Sequence, residues 1–401
     1  MTIEAGFDVR KSEGRLAEYF ARIGRALGNK KRRECFAVYA LGLLSGAERK
    51  SCEPIAARTC GDPVSADAAH QRLLHFIGQS EWDDRVVRRI AARHAISAME
   101  KRAPVRSWIF DDTGFLKKGE HSVGVQRQYT GTAGKITNSQ IGVSLSVSNE
   151  HAHAPVDFAL YLPRSWTEDA ARRRTARIPD EVVFKTKIEL AIDLFARAVD
   201  EGYPGEIVLA DSFYGDAVDF RDVVRSHGFD YAVGVSSPTM VRASDRSDST
   251  SVRELALSLD ESEFRKVTWR QGTNAPLSGR FAFQRVRTNS KTEPDAQVWL
   301  VVEWPTGHDE PTRYYLTTLG PMKSHREIVS TIKERYRTEK VYEEMKTGLG
   351  LDHFEGRSFG GWHHHVTTAL CCYAFIVAER LQHFPPSRAR ADAACADEAA
   401  A

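Results

Sequence analysis

Two apolar, strand-like runs that lie far apart in the chain each close on an aspartate. The first, Ser-Trp-Ile-Phe-Asp-Asp, ends in Asp111 and Asp112, and the second, Ile-Val-Leu-Ala-Asp, ends in Asp211. A third carboxylate, Glu339, lies in a predicted helix near the C-terminus. This pattern constrains the fold, because three separate segments have to end or begin at one pocket. Carboxylate oxygens are the ligands that hard cations such as Mg²⁺ prefer, so the sequence predicts a site for such ions.

The length of the chain, 401 residues, predicts two or three domains rather than a single core. No apolar run approaches the length of a membrane span, and the N-terminus lacks the basic and apolar regions of a secretory signal. The six cysteines include no CxxC pair, which favours reduced thiols over a disulfide framework or a zinc site. These observations predict a cytoplasmic protein without a membrane partner.

Residues 14–98 have helical periodicity, within a predicted helical region 1–103, and Ser65 or Asp67 is predicted to cap one helix and Ser80 the next. The first fifty residues hold eleven Lys and Arg against six Asp and Glu. Four of these cations are consecutive: Lys30, Lys31, Arg32 and Arg33. Short helices with clustered basic charge predict a small DNA-binding bundle, with helix-turn-helix as one candidate type. The alternative is a bundle that only packs or dimerises.

Residues 104–236 change to strands with intervening helices, which predicts an α/β core with a mixed sheet. Residues 237–320 carry bulky β-formers and predict a β-rich insertion. Helices resume in 321–384, where Ser324 and Glu327 have the spacing of a capping box. The Ala-rich, charged tail 385–401 is predicted to be disordered.

The segment 328–349 is predicted to form one helix that presents Arg335, Glu339 and Lys346 on one face. A carboxylate flanked by two cations suits a pocket that metal ions share with DNA phosphates. A surface helix with ion pairs four residues apart is the alternative. Asp112 is the rival of Asp111 for the first position; since neighbouring strand residues point to opposite faces, only one should be a primary ligand, and Asp111 ends the apolar run.

The tract His363-His364-His365 suggests a metal site at first sight. Three consecutive helical residues point in different directions, so they cannot all bind one ion. We interpret the tract as a DNA-facing or solvated helix start.

The spacing Arg335-x3-Glu339-x6-Lys346 resembles the YREK signature of bacterial insertion-sequence transposases of the DDE type, with Ile332 where that signature has tyrosine. The resemblance extends over roughly residues 30–380. The motifs that carry it are Asp-Asp-Thr-Gly-Phe-Leu-Lys-Lys-Gly (111–119), Ser-Val-Gly-Val-Gln-Arg-Gln-Tyr (122–129), Gly-Lys-Ile-Thr-Asn-Ser-Gln (134–140), Tyr-Leu-Pro-Arg-Ser-Trp (161–166), Ala-Asp-Ser-Phe-Tyr-Gly (210–215) and Gly-Leu-Asp-His-Phe-Glu-Gly-Arg-Ser (350–358).

This resemblance implies an RNase-H-like catalytic core with a β-rich insertion and an N-terminal helical DNA-binding region. It implies a catalytic and metal-binding triad of Asp111, Asp211 and Glu339 that holds two Mg²⁺ ions, with Mn²⁺ as a substitute. The DNA-binding residues predicted from this resemblance and from the positions of basic residues are Arg335, Lys346, Lys30, Lys31, Arg32, Arg33, Arg127 and Trp299, the last as a base-stacking residue. An ordinary hairpin charge is the alternative for Arg127, and core packing is the alternative for Trp299.

The implied reaction is cleavage at the transposon ends followed by joining of the 3′-hydroxyl ends to target DNA, by a cut-and-paste route. The implied partners are terminal inverted repeats, target DNA and a second copy of the chain in a synaptic homodimer, in the bacterial cytoplasm at the nucleoid. Two alternatives stay open: a metal-dependent nuclease without strand transfer, and an inactive DNA-binding regulator.

Overall fold

The computed structural model describes residues 8–60, 62–244, 248–272 and 275–383. The helices are α1 Val9–Leu27, α2 Lys30–Leu44, α3 Cys52–Thr59, α4 Pro63–Gly78, α5 Asp84–Glu100, α6 Arg164–Thr167, α7 Ala170–Ala176, α8 Lys187–Asp200, α9 Ser212–Gly215, α10 Val218–Ser226, α11 Val252–Leu257, α12 His325–Lys333, α13 Tyr336–Leu349 and α14 Phe359–His383. The strands are β1 Ser107–Leu116, β2 Gln126–Thr130, β3 Lys135–Ser148, β4 His153–Tyr161, β5 Ile207–Ala210, β6 Asp230–Val235, β7 Met240–Ala243, β8 Ser249–Ser251, β9 Arg265–Gln271, β10 Pro276–Arg287, β11 Gln297–Trp304 and β12 Arg313–Thr317. The predicted tail 385–401 lies outside the described residues.

The chain forms two compact units. Within the described residues, the first contains 8–105, Asp112–Leu190 and 339–383, and the second contains Arg106–Asp111 and Ala191–Thr338. The boundary between Val105 and Arg106 precedes β1, whereas the next three fall inside β1, inside α8 and inside α13. Neither unit is therefore a continuous stretch of sequence.

The first unit is organised around the long helix α14. Most of its residues are buried, because α14 packs against α2, α4, α5 and β4. A helix that contacts neighbours on all sides is apolar all round, as the run Ala369-Leu370-Cys371-Cys372 illustrates. Strand β3 pairs antiparallel with both β2 and β4.

The second unit contains a mixed sheet in which β5 pairs parallel with both β1 and β6. Antiparallel pairing then adds β12 to β6, β11 to β12 and β10 to β11, and β10 also pairs with β7 and β9. Ile109, Leu209, Phe281, Val301 and Ile328 belong to the core of this unit. Strands β7 to β12 lie within residues 237–320, and β12 continues the sheet of β6.

The α/β class, the mixed sheet and the N-terminal helices confirm the predicted fold class. The capping box of Ser324 and Glu327 is confirmed as well. The predicted caps of the two N-terminal helices are wrong: Asp62, followed by Pro63, caps α4, and Asp83 caps α5. Within the described residues, no helix combines the length and apolar character that crossing a membrane requires.

Candidate active site

The parallel register of β1 and β5 aligns the two predicted strand-end aspartates. Ser107 pairs with Ile207, and the register continues to Phe110 and Ala210. Asp111 and Asp211 are the next residue of each chain segment. Because neighbouring strands lie about 4.8 Å apart, the two residues lie at the same point along one edge of the sheet. The apolar run predicted that Asp111 ends its strand, and this is wrong: β1 continues to Leu116, and only the pairing with β5 ends before Asp111.

Asp211 is held by the turn that follows it. It caps the short helix α9, and its Oδ1 accepts hydrogen bonds from the backbone N–H groups of Phe213 at 3.0 Å and Tyr214 at 3.4 Å. A side chain on Gly215 would place its Cβ 1.9 Å from the carbonyl oxygen of Gly234 on β6, so only glycine allows this turn to approach the sheet. The motif Ala-Asp-Ser-Phe-Tyr-Gly thus fixes the orientation of one carboxylate.

Asp111 is nearly buried, with 9% of its surface exposed, and its Oδ2 accepts a hydrogen bond from Nη1 of Arg335 at 2.9 Å. This ion pair places the predicted phosphate-binding arginine against a predicted metal ligand. Asp112 faces a different partner: its Oδ2 lies 2.7 Å from Nζ of Lys187, on α8. The two adjacent carboxylates are therefore distinguished by their cations. The pairing with Lys187 was not predicted, because nothing in the local sequence marks that lysine.

The prediction of one helix over 328–349 is wrong. Helix α12 ends at Lys333, a turn contains Glu334 and Arg335, and α13 begins at Tyr336. Arg335 therefore does not belong to the face of α13, although Glu339 and Lys346 do. Glu339 is exposed and lies in the first unit, whereas Asp111 and Asp211 lie in the second. Its place in the triad stays a prediction.

Lys346 is held by the last residue of the Asp-Asp-Thr-Gly motif and by the turn that follows β2. Its Nζ donates to the carbonyl oxygen of Gly114 at 2.9 Å and to Oγ1 of Thr132 at 3.1 Å. Burial lowers the pKa of the Lys346 ammonium group, and the carboxylate of Asp352 opposes that shift. An ammonium group has three donors, so two protein acceptors leave one N–H for a further ligand.

The remaining predicted DNA contacts differ in their surroundings. In the basic block, Arg33 donates through Nε and Nη2 to the carbonyl oxygen of Gly28, and Lys30 lies 3.8 Å from Glu34 in an exposed ion pair. Lys31 is exposed and Arg32 is half-buried. Arg127 is exposed on β2.

Trp299 is half-buried on β11 and packs against the core of the second unit. Its ring meets Phe283 edge-on at 6.3 Å, and the guanidinium of Arg285 lies 4.8 Å from the ring centroid. These contacts give the ring a packing role, and base stacking stays a prediction.

The histidine tract is not a solvated helix start, because two of its three rings are buried inside the first unit. His364 faces the carbonyl oxygens of Ile77 and Trp82. His365 Nδ1 lies 2.8 Å from the hydroxyl of Tyr39, and Nε2 lies 3.1 Å from the carbonyl oxygen of Gly350. Burial lowers the pKa of His365 to about 4, so the ring is neutral.

The donor set at the sheet edge suits a hard cation, since Asp111 and Asp211 offer only oxygen. Among the described residues, no group of three or more His, Cys, Asp or Glu side chains is placed to hold a metal ion. A divalent ion at this edge would be held by these carboxylates together with further oxygens, such as those of a substrate, an arrangement common for Mg²⁺.

Two comparisons with known proteins bear on this site. A family described as DDE superfamily endonuclease matches residues 22–276. The chain is also 25% identical, over 324 residues, to a protein of Microchaete diplosiphon named as a probable transposase for insertion sequence element IS701. That similarity covers 80% of this chain and 76% of the relative. The family match includes Asp111 and Asp211 and ends before Glu339.

Proposed function

Because the chain belongs to the DDE superfamily of endonucleases, as a nucleic-acid-cleaving enzyme of the insertion-sequence transposase kind, we propose that it cleaves transposon ends and joins them to target DNA. The observation that carries the proposal is the parallel register that brings Asp111 and Asp211 to one edge of the sheet. The finer assignment to the YREK subgroup is part of the proposal, and the sequence pattern of Arg335, Glu339 and Lys346 supports it.

Divalent metal chemistry is general in this superfamily, and we propose Mg²⁺ as the ion, with Mn²⁺ as a substitute. Asp111 and Asp211 would hold the ions, with Glu339 as the third protein ligand. Two bound ions would activate the attacking oxygen and stabilise the departing oxygen of a phosphodiester. No covalent bond to the protein is needed.

The chain's own residues position these carboxylates. The N–H groups of Phe213 and Tyr214 orient the carboxylate of Asp211, and Arg335 holds that of Asp111. In the proposed complex, Arg335 and the third N–H of Lys346 donate to DNA phosphates near the scissile bond. Hydrolysis would leave a 3′-hydroxyl on the transposon end, and that hydroxyl would then attack a phosphodiester of the target.

The proposed partners are the terminal inverted repeats of the transposon, the target DNA and a second copy of the chain in the synaptic complex. The proposed location is the bacterial cytoplasm, at the nucleoid. The basic block at the start of α2 supports the DNA partner through its charge.

The test uses a labelled duplex that carries the inverted repeat beside the gene, incubated with Mg²⁺ and a supercoiled target plasmid. Joined products are the expected result. Cleavage without joining would favour a nuclease, and binding without cleavage would favour a regulator. Asp211→Asn is the control, because it removes a charge but keeps the shape: it should bind the duplex and leave it intact.

A further inference from the structure

The two halves of helix α4 carry opposite charge. The first half begins with the cap residue Asp62 and includes Asp67, and with Glu53 of α3 these acids line a cavity of about 520 Å³. The second half carries Arg72 and His75, both exposed. One helix of the first unit therefore offers an acidic end and a basic end.

The basic half of α4 lines a second cavity, of about 790 Å³, together with the start of α2. Its polar lining includes Lys30, Lys31, Arg32, Gln71, Arg72 and His75. Among the residues that the structure describes, no carboxylate lies within ion-pair distance of Lys31, Arg32 or Arg72. The acid that lines this cavity is Glu81. The cavity thus presents cations from two helices, three of them without an acidic partner in the described chain.

These cations belong to α2 and α4, two helices that buried side chains anchor in the first unit. Phe36, Tyr39, Leu73 and Phe76 are the buried side chains that anchor α2 and α4. The two helices also touch directly, since Sγ of Cys35 lies 3.9 Å from the carbonyl oxygen of Arg72. Asn29 caps α2, so the positive end of that helix dipole lies at the cavity.

We propose that the cavity between α2 and α4, with Lys31, Arg32 and Arg72 as its phosphate-binding residues, receives the sugar–phosphate backbone of DNA. This inference rests on the proposed function and says which surface binds the DNA. Helices α3 and α4 are joined by a short connection, as in a helix-turn-helix, where residues at the start of the second helix contact bases. Here that start is acidic, and duplex DNA carries one negative charge per about 1.7 Å, so the first half of α4 points away from the DNA.

The test measures binding of the full-length protein to a short, fluorescein-labelled, mixed-sequence duplex across a salt series. Each lost phosphate contact lowers the slope of log K against log salt by about 0.9. We expect Lys31→Ala and Arg72→Ala each to lower the slope by that amount and to weaken binding several-fold, and we expect Arg72→Lys to restore both. Arg58→Ala, which removes an exposed cation outside both cavities, should keep the wild-type slope, and Asp67→Asn should not weaken binding.

Melting temperatures of all variants exclude unfolding as the cause. Wild-type slopes for Lys31→Ala and Arg72→Ala would overturn the inference, as would weaker binding by Asp67→Asn. A changed sedimentation rate of Arg72→Ala with an unchanged slope would overturn it in favour of a contact between copies. If the wild-type protein itself bound no DNA, the proposed function would fail, and that outcome is distinct from the others.

Discussion

The strand ends of the second unit and the C-terminal end of α13 in the first unit use charge in opposite ways. At the strand ends, Asp111 and Asp211 are carboxylates oriented by an arginine and by backbone N–H groups. At the end of α13, three lysines donate to backbone carbonyl oxygens. The donors are Lys50, Lys117 and Lys346, and the acceptors include those of Gly348, Phe354 and Gly114. In the first arrangement the charged groups are acceptors that protein donors hold in place, whereas in the second the charged groups are the donors. Of their three acceptors, Gly348 belongs to the last turn of α13, where a helix leaves carbonyl oxygens open.

The largest expected effect separates the two carboxylates of β1. Asp111→Asn should lower the cleavage rate at least about a thousand-fold, because it removes a proposed metal ligand. Asp112→Asn is the matched variant one residue away, and it should lose less than about tenfold, since it breaks the ion pair with Lys187. Single-turnover cleavage of end DNA measures both. A larger loss of cleavage rate for Asp112→Asn than for Asp111→Asn would mean that Asp112, and not Asp111, is the first metal ligand.

The second effect concerns the acceptor of Lys346. A Cβ on Gly114 would lie 1.9 Å from Oγ1 of Thr130, so Gly114→Ala should lower the free energy of unfolding by about 3 kcal/mol. Gly119→Ala, in open space a few residues along, should change it by less than about 0.5 kcal/mol. Urea unfolding measures the difference. Equal stability of the two variants would show that the β2–β3 hairpin moves to accommodate the added methyl group, and that Lys346 is not held by a rigid acceptor.

The third effect is a pH dependence at the same end of α13. Burial lowers the pKa of His365 to about 4, so the stability that its neutral ring gives is complete above the unfolded pKa of about 6.5 and is lost as the pH falls toward 4. His365→Gln keeps a donor and an acceptor but cannot titrate. The stability difference between wild type and this variant should therefore shrink by on the order of 3 kcal/mol between about pH 7 and pH 4.

The control is His308→Gln, the same substitution at an exposed histidine, which should leave the free energy of unfolding at pH 7 within about 0.5 kcal/mol of wild type. His94 and His363, whose pKa values burial also lowers to about 4, stay in both proteins and cancel in the comparison. If the difference in unfolding free energy between wild type and His365→Gln did not change with pH, protonation of the His365 ring would not destabilise the folded protein.

The smallest expected effect is on the salt dependence of DNA binding, and it concerns the two cations predicted to bind phosphate. Arg335→Ala and Lys346→Ala should each lower the salt slope of end-DNA binding by about 0.9. An unchanged slope with a lower melting temperature would assign either side chain to its protein partner alone: Asp111 for Arg335, and Gly114 with Thr132 for Lys346. Lys340→Ala, an exposed lysine on α13, serves as the charge-matched control.

The sequence predicted best where the backbone determines position. The apolar runs that end in Asp111 and Asp211 became neighbouring parallel strands, since a short run of Val, Ile and Leu has few alternatives to a buried strand. The sequence predicted structure poorly where contacts with residues far along the chain determine the conformation. The turn at Glu334 and Arg335 interrupts a sequence of good helix formers, and the buried positions of His364 and His365 depend on carbonyl oxygens from other segments. Local periodicity contains no information about such acceptors.

The discontinuity of the first unit has a consequence for synthesis. Helix α14, against which α2, α4 and α5 pack, is translated only after the whole of the second unit. At about 5–20 residues per second, the N-terminal helices leave the ribosome some 15–60 s before that partner exists. During this interval the apolar faces of α2 and α5, with Phe36 and Val87, have no α14 to cover them. A nascent chain that stops before residue 359 lacks the helix that completes its N-terminal bundle, so we expect premature termination to yield incompletely packed chains that are exposed to chaperones and proteases.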